Sequence, residues 1–330
     1  MVHLRIVVPG SQSEHVVDLL EATPSVSSLV VLEGTARKPR GDVVLCDVAR
    51  EDASVVIADL RELGVDRDGS ISLEEIDSQI SAAADRAERA TPGLAGDSVV
   101  WEEVESRTSE TTELNASFLA FMVLACLIAS VGVMTGQPVL IVGAMVVGPE
   151  FGPLAGLCVA IVQRRREVAV RSLIALAIGF PLGITAAFLF SLIAKWAGLV
   201  ASDFVLGELP LTSFISEPST FSFIVAFFAG IAGTLSLTAA KSGALVGVLI
   251  SVTTIPAAAA IGVSAAFGDW ADWRGAIAQL AINLSTIALA GVLTLLVQRR
   301  VYQRRRERHL GAGSRAVAGL PTEAQHGGPR

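Results

Sequence analysis

GAMVVGPEFGPLAG, residues 143–156, sets two prolines and four glycines inside one apolar stretch, with a carboxylate between the prolines. Proline removes a backbone donor and clashes with the preceding turn, so a helix through Gly148, Pro149, Glu150, Gly152 and Pro153 is expected to break. Carbonyls freed in this way are tolerated in a bilayer only where they face protein, water or a bound ion. A carboxylate near the bilayer centre costs roughly 2.5–3.5 kcal/mol and ordinarily faces a cavity or a partner. Glu150 can therefore carry a proton, bind a cation or select a solute; the alternative is that it only caps a broken helix end beside a water-filled vestibule.

Working outward, this stretch lies in the second of six apolar runs long enough to cross about 30 Å of hydrocarbon. They fall near residues 118–135, 138–162, 170–194, 220–240, 242–267 and 275–297. The chain is 52% hydrophobic with a mean hydropathy of +0.60, too apolar for a soluble protein of 330 residues. Arginine placement gives an independent check on orientation, because cytoplasmic loops collect positive charge. Arg164, Arg165, Arg166 and Arg171 follow run two, and Arg299, Arg300, Arg304, Arg305, Arg306 and Arg308 follow run six. Both clusters are cytoplasmic if the amino terminus is, which places the chain in the inner (plasma) membrane with both ends inside. The six arginines read as a topology anchor that also attracts anionic lipid.

Runs one to three resemble runs four to six. Residues 136–173 can be laid against 241–277, which matches Gly143 with Gly247 and brings Pro153 within one residue of Pro256. A repeated three-span unit has opposite orientations in the membrane, the inverted-repeat arrangement of many secondary transporters. The counterpart of the Glu150 segment is Ser251-Val252-Thr253-Thr254-Ile255-Pro256, whose hydroxyls either ligate a solute or bond their own helix backbone. Asn283, a buried amide in run six, serves equally as a pathway residue or as glue between helices. Gly230 is expected to permit close helix packing.

The front of the chain is unlike the rest. Residues 1–116 hold 23 Asp+Glu against 10 Lys+Arg, and residues 117–330 hold 9 against 15. An acidic soluble part argues against nucleic acid as a partner. LRIVV (4–8), VSSLVVL (26–32), VVLCDV (43–48) and SISLEE (70–75) read as strands, with helices near 14–20 and 52–63. The order βαββαβ implies an α+β ferredoxin-like domain over 1–80, ahead of an all-α bundle at 117–298. Residues 81–116 read as a linker plus an amphipathic helix whose Trp101 faces lipid headgroups or packs on the domain. Residues 299–330 read as a basic, disordered tail. Asp66-Arg67-Asp68-Gly69 imitates an EF-hand loop, but Gly64 occupies the position that needs a carboxylate, so a solvated turn is expected and no metal. Cys46, Cys126 and Cys158 are spread apart and read as packed hydrophobes. The start, MVHLRIVVPG, has no basic leader with a long apolar core, so no cleaved signal is expected.

With GAMVVGPEFGPLAG, Gly69-Ser70-Ile71, LVGVLISVTTIPAAAAIGVSAAFGDW (245–270) and the Asn283 segment, the chain resembles a family of bacterial and archaeal membrane proteins known as domain of unknown function 389 (DUF389). The resemblance covers 118–297 and extends to the soluble front domain found in many members. It departs at Gly148-Pro149-Glu150-Phe151, where members more often carry a Ser-Pro-Leu-Met-Gly-Pro-like centre, and at the single Pro256, where a double proline is usual. The resemblance implies fold and topology, and no reaction.

No catalytic triad, metal cluster, phosphate loop or paired catalytic carboxylates stand out, which argues against an enzyme and against a cofactor. The expectation is a secondary transporter or channel for a small ion or polar solute, embedded in the lipid bilayer as a homo-oligomer. Its pathway would use Gly143, Gly148, Pro149, Glu150, Gly152, Pro153, Thr253, Thr254, Pro256 and Asn283. The alternative is a membrane-anchored sensor whose soluble domain binds a metabolite or a protein.

Overall fold

The structure is a computed structural model that describes residues 1–76, 78–91, 99–201, 204–206, 219–239 and 254–322. It divides into two compact units, one formed by Met1–Val104 with Gln298–Arg330 and the other by Glu105–Val297.

In the first unit β1 (Val2–Val8), α1 (Gly10–Glu21), β2 (Val26–Arg37), β3 (Arg40–Val48), α2 (Arg50–Glu62), the short α3 (Val65–Asp68) and β4 (Ser70–Glu75) follow in sequence. The four strands make one antiparallel sheet in the order β2-β3-β1-β4. Alternation decides which face is covered: Val2, Leu4, Ile6 and Val8 of β1 are buried. They share a core with Val16, Leu19 and Leu20 of α1 and Val56, Ile57 and Leu60 of α2. Each such side chain contributes about 1.5–3 kcal/mol on full burial. Cys46 lies in that core, where burial, with Asp47 beside it, pushes the thiol up to about 12. The expected strands are all present, and the β2–β3 hairpin runs farther than the apolar pattern suggested, pairing to Arg37↔Arg40. Gly69 is required by close approach, since a Cβ there would lie 2.0 Å from the Val7 carbonyl oxygen. The calcium look-alike is the helical turn α3 leading into β4, and Asp68 accepts a 2.9 Å hydrogen bond from Gln12.

Two expectations about the edges of this unit need correction. The linker region contributes α4 (Ala82–Ala90), capped by Ser81, with Ala84 and Ala87 buried, and the first turn of α5 (Trp101–Thr111). Of the two readings left open for Trp101, packing on the domain holds: it is buried, and its ring meets Tyr302 edge-on at 6.3 Å. Its backbone N–H donates to Ser54, which in turn donates to Glu102, while Glu103 pairs with Arg50 at 3.1 Å. The unit therefore reaches Val104 rather than residue 80.

Within the segment 299–330, expected to be a disordered basic tail, the described residues are helical as far as Leu310 and again over Gly313–Val317. One helix, α12, runs Trp270–Leu310, and the short α13 spans Gly313–Val317. Beyond Val297 these elements belong to the first unit, where they close on α2. Asp59 of α2 is fully buried and pairs with Arg306, His309 and Arg315, with His309 at 2.7 Å. Glu62 takes Arg315 at 3.0 Å and Arg306 at 3.3 Å. Ala318 and Leu320 add apolar contacts to the core. The arginines are held because their carboxylate partners lie about 250 positions earlier in the chain, a relation that charge composition alone does not reveal.

The second unit contains α6 (Ala116–Thr135), α7 (Pro138–Val147), α8 (Phe151–Gln163), α9 (Arg166–Trp196), α10 (Thr220–Thr238), α11 (Thr254–Phe267) and α12 as far as Val297. Four of these helices are long and apolar enough to cross a membrane, and a fifth crossing results when the bent pair α7–α8 counts as one. The chain is a multi-pass membrane protein. The sixth expected run, 242–267, is described only from Thr254. Small residues set the spacing of the bundle. A Cβ on Gly262 would lie 2.7 Å from Ala187 and from the Phe188 backbone, and one on Gly230 would meet Ala290 and Ile287 at 2.8 Å. The hydroxyls of Ser130, Thr185, Ser191, Thr234 and Thr238 bond carbonyls four residues earlier on their own helices, the structural alternative foreseen for such groups.

Candidate functional site

The apolar run that carries GAMVVGPEFGPLAG is broken by 52° between α7 and α8. The break is local to Gly148-Pro149-Glu150. Gly148 leaves the helix in an extended conformation, and its N–H makes the last helical bond of α7, to Ala144 at 3.0 Å. Glu150 then starts α8, its carbonyl accepting from the Leu154 N–H at 3.2 Å. Pro153 is not a second break. It sits in the first turn of α8, where a missing N–H costs nothing because that donor has no partner within the helix.

This geometry turns the Glu150 side chain into the interior, where it is 3% exposed. Its Oε1 accepts a 2.7 Å hydrogen bond from the Thr254 hydroxyl, at the first described residue of α11. Its Oε2 is buried without a hydrogen-bond partner among the described residues. Gly148 is needed beside it, since a Cβ there would lie 2.4 Å from Oε2 and 2.6 Å from the Ile255 side chain. The site thus joins the start of α8 to the first described turn of α11, and these turns carry Pro153 and Pro256. A buried carboxylate with one oxygen held and the other free is equipped to take up a proton or a hydrogen bond from a polar solute, and an unsatisfied buried acceptor costs about 1–3 kcal/mol or more when left so.

Of the residues singled out in the sequence, Gly148, Pro149, Glu150 and Thr254 come together, and Gly152, Pro153 and Pro256 lie in the adjoining helical turns. Gly143 lies on α7 with open space where a Cβ would point. Thr253 lies outside the described residues. Asn283 is buried on α12 and accepts from Gln279 at 3.3 Å, with no described bond to Glu150. Gln279, 2% exposed with its own Oε1 unpartnered among the described residues, was not singled out in the sequence, although an amide inside the apolar run AIAQLAINL was the available signal. Among the described residues no group of three or more His, Cys, Asp or Glu could hold a metal ion.

Residues 145–289 match the family described as Domain of unknown function (DUF389). The DUF389 match opens within α7, takes in the Glu150 break, and closes within α12 just past Asn283. An uncharacterized protein of Methanocaldococcus jannaschii is 23% identical over 204 residues, covering 59% of this chain and 58% of that relative, so the chain spans less than two thirds of its length. No solved structure matches the chain.

Proposed function

We propose that this chain is a secondary transporter or channel for a small ion or polar solute, and not an enzyme. The observation that carries the reading is the buried Glu150 carboxylate at a broken span, held on one oxygen by Thr254 and, among the described residues, without a hydrogen-bond partner on the other. Broken helices meeting end to end inside an apolar bundle are the means by which transporters expose polar groups at membrane depth. In this reading the family assignment extends over the whole apolar half, with six crossings arranged as two inverted three-span units. Pro153 in the first turn of α8 and Pro256 in the first described turn of α11 support that relation. The front sheet, ordered β2-β3-β1-β4, supports a ferredoxin-like domain. The arginines at 164–166 and beyond 299 favour cytoplasmic termini in the inner membrane. Exposed apolar side chains such as Phe221 and Phe228 suit lipid or a second copy of the chain.

The pH profile of flux in proteoliposomes tests the role of Glu150. A carboxyl exchanges a proton and an amide does not, so Glu150→Gln should abolish flux or leave it independent of pH. Thr254→Val, which removes the hydroxyl that holds Oε1, should lower flux about tenfold or less while keeping the pH dependence. Identical profiles for the wild type and Glu150→Gln would take Glu150 out of the pathway.

A further inference from the structure

Past Arg299 and Arg300, the arginines of residues 304–315 divide into two sets. Arg306 and Arg315 are consumed by Asp59 and Glu62. On another stripe of the same helix, Val301, Arg304, Arg305, Arg308 and His309 recur at helical spacing and, with Asp52 of α2, line a recess of about 460 Å³. That volume suits a small ligand. Arg305 is anchored at the wall by the Glu51 carbonyl, with Asp52 at 3.9 Å, and His309 is fixed by Asp59 at 2.7 Å. Arg304 and Arg308 make no ion pair among the described residues. They stand four positions apart on one helix, and like charges at that spacing destabilise a helix unless something neutralises them. Complementing the carbonyls at the end of α12 explains Arg308 alone. It does not explain three guanidinium groups around one concavity that holds a single carboxylate.

We propose that this recess is a phosphate-binding site. Guanidinium groups match phosphate oxygens two at a time, and two are already positioned or free to do so from one helix face. The phosphate belongs either to a soluble phosphorylated metabolite or to the headgroup of an anionic phospholipid. The site is independent of Glu150 and stands or falls separately from transport.

The test uses the full chain in nanodiscs of phosphatidylcholine, titrated in one arm with inorganic pyrophosphate and in the other with dioctanoyl phosphatidic acid. Saturable binding of one ligand per chain is expected in at least one arm, and the arm that responds identifies the source. Arg304→Gln/Arg308→Gln should weaken that binding about tenfold or more, while Arg299→Gln/Arg300→Gln, which removes the same charge from the same helix outside the recess, should change it less than about threefold. Asp52→Asn, which removes the one carboxylate of the wall, should tighten pyrophosphate binding and so provides a readout of opposite sign that a folding defect would not mimic. Absence of saturable binding in both arms, or equal weakening by the two double variants, overturns the proposal; the latter outcome marks diffuse polybasic attraction.

Discussion

Asp59→Ala in the full chain should speed amide exchange by a hundredfold or more in residues 298–320 and in α2. Asp59 is the hub of the first unit, fully buried and paired with Arg306, His309 and Arg315. Arg315 is itself 1% exposed, so deleting the carboxylate leaves a buried guanidinium with Glu62 as its remaining carboxylate partner among the described residues and the Pro321 carbonyl as a neutral acceptor at 3.0 Å. Breaking a buried pair from one side costs about 3–5 kcal/mol, because the remaining charge is uncompensated. Removing the cation instead, by Arg315→Met, should cost less, since Arg306 and His309 still serve Asp59. The same hub responds to acid. Burial alone would raise the Asp59 carboxyl, but the hydrogen bond to His309 and the charge and hydrogen bond of Arg306 outweigh it and hold the group below its ordinary value. A depressed carboxylate lends stability above its unfolded value of about 4 and loses it as pH falls through the folded value. Exchange in these segments, after correction for intrinsic rates, should accordingly rise as pH falls below about 4. Hydrogen exchange with mass spectrometry reads both effects, and protection unchanged by Asp59→Ala would mean that the C-terminal segment is not held by this cluster.

The second large effect belongs to the helix crossing of α9 and α11. A Cβ on Gly262 meets not only the Ala187 side chain at 2.7 Å but also the Phe188 backbone nitrogen at 2.7 Å and the Ile184 carbonyl oxygen at 2.8 Å. Backbone cannot swing aside as a side chain does. Gly262→Ala should cost about 1–3 kcal/mol, and Gly262→Leu more, enough to lose the monodisperse folded protein in detergent. Gly143→Ala makes the contrast: nothing lies within 4 Å of its Cβ position, and it sits inside α7, so the substitution should be neutral or stabilise by about 0.5–1 kcal/mol. Size-exclusion profiles and thermal scans of the three variants check this, and similar behaviour of Gly262→Leu and Gly143→Ala would refute the close crossing.

What could be read from the residues depended on whether the signal was local. The four strands of the front sheet are short apolar runs bounded by turn residues, and the break at Gly148-Pro149-Glu150 is written in three consecutive positions. Both were legible. Which of the two prolines marks the break was not legible, because proline alone does not tell whether it lies in a helix interior or in its first turn. Trp101, left open between lipid headgroups and the soluble domain, and the arginines at 305, 306 and 315, read only as part of a basic tail, were not resolved for a different reason. Their environments are made by Ser54, Glu51, Asp59 and Glu62, far away in sequence, and in isolation a charge run looks the same whether it is solvated, lipid-facing or locked in an ion-pair cluster. The partnership of Glu150 with Thr254, 104 positions apart, was foreshadowed only by the weak repeat between the two halves.

Current on proteoliposomes adsorbed to a solid-supported membrane tests transport most directly, with protons, common cations, anions and small polar metabolites applied in turn and Glu150→Gln run in parallel. A substrate-specific current in the wild type that is lost in the variant is the predicted result. Silence across the panel from protein shown to be folded, or a current that Glu150→Gln leaves intact, would contradict a pathway through the broken span.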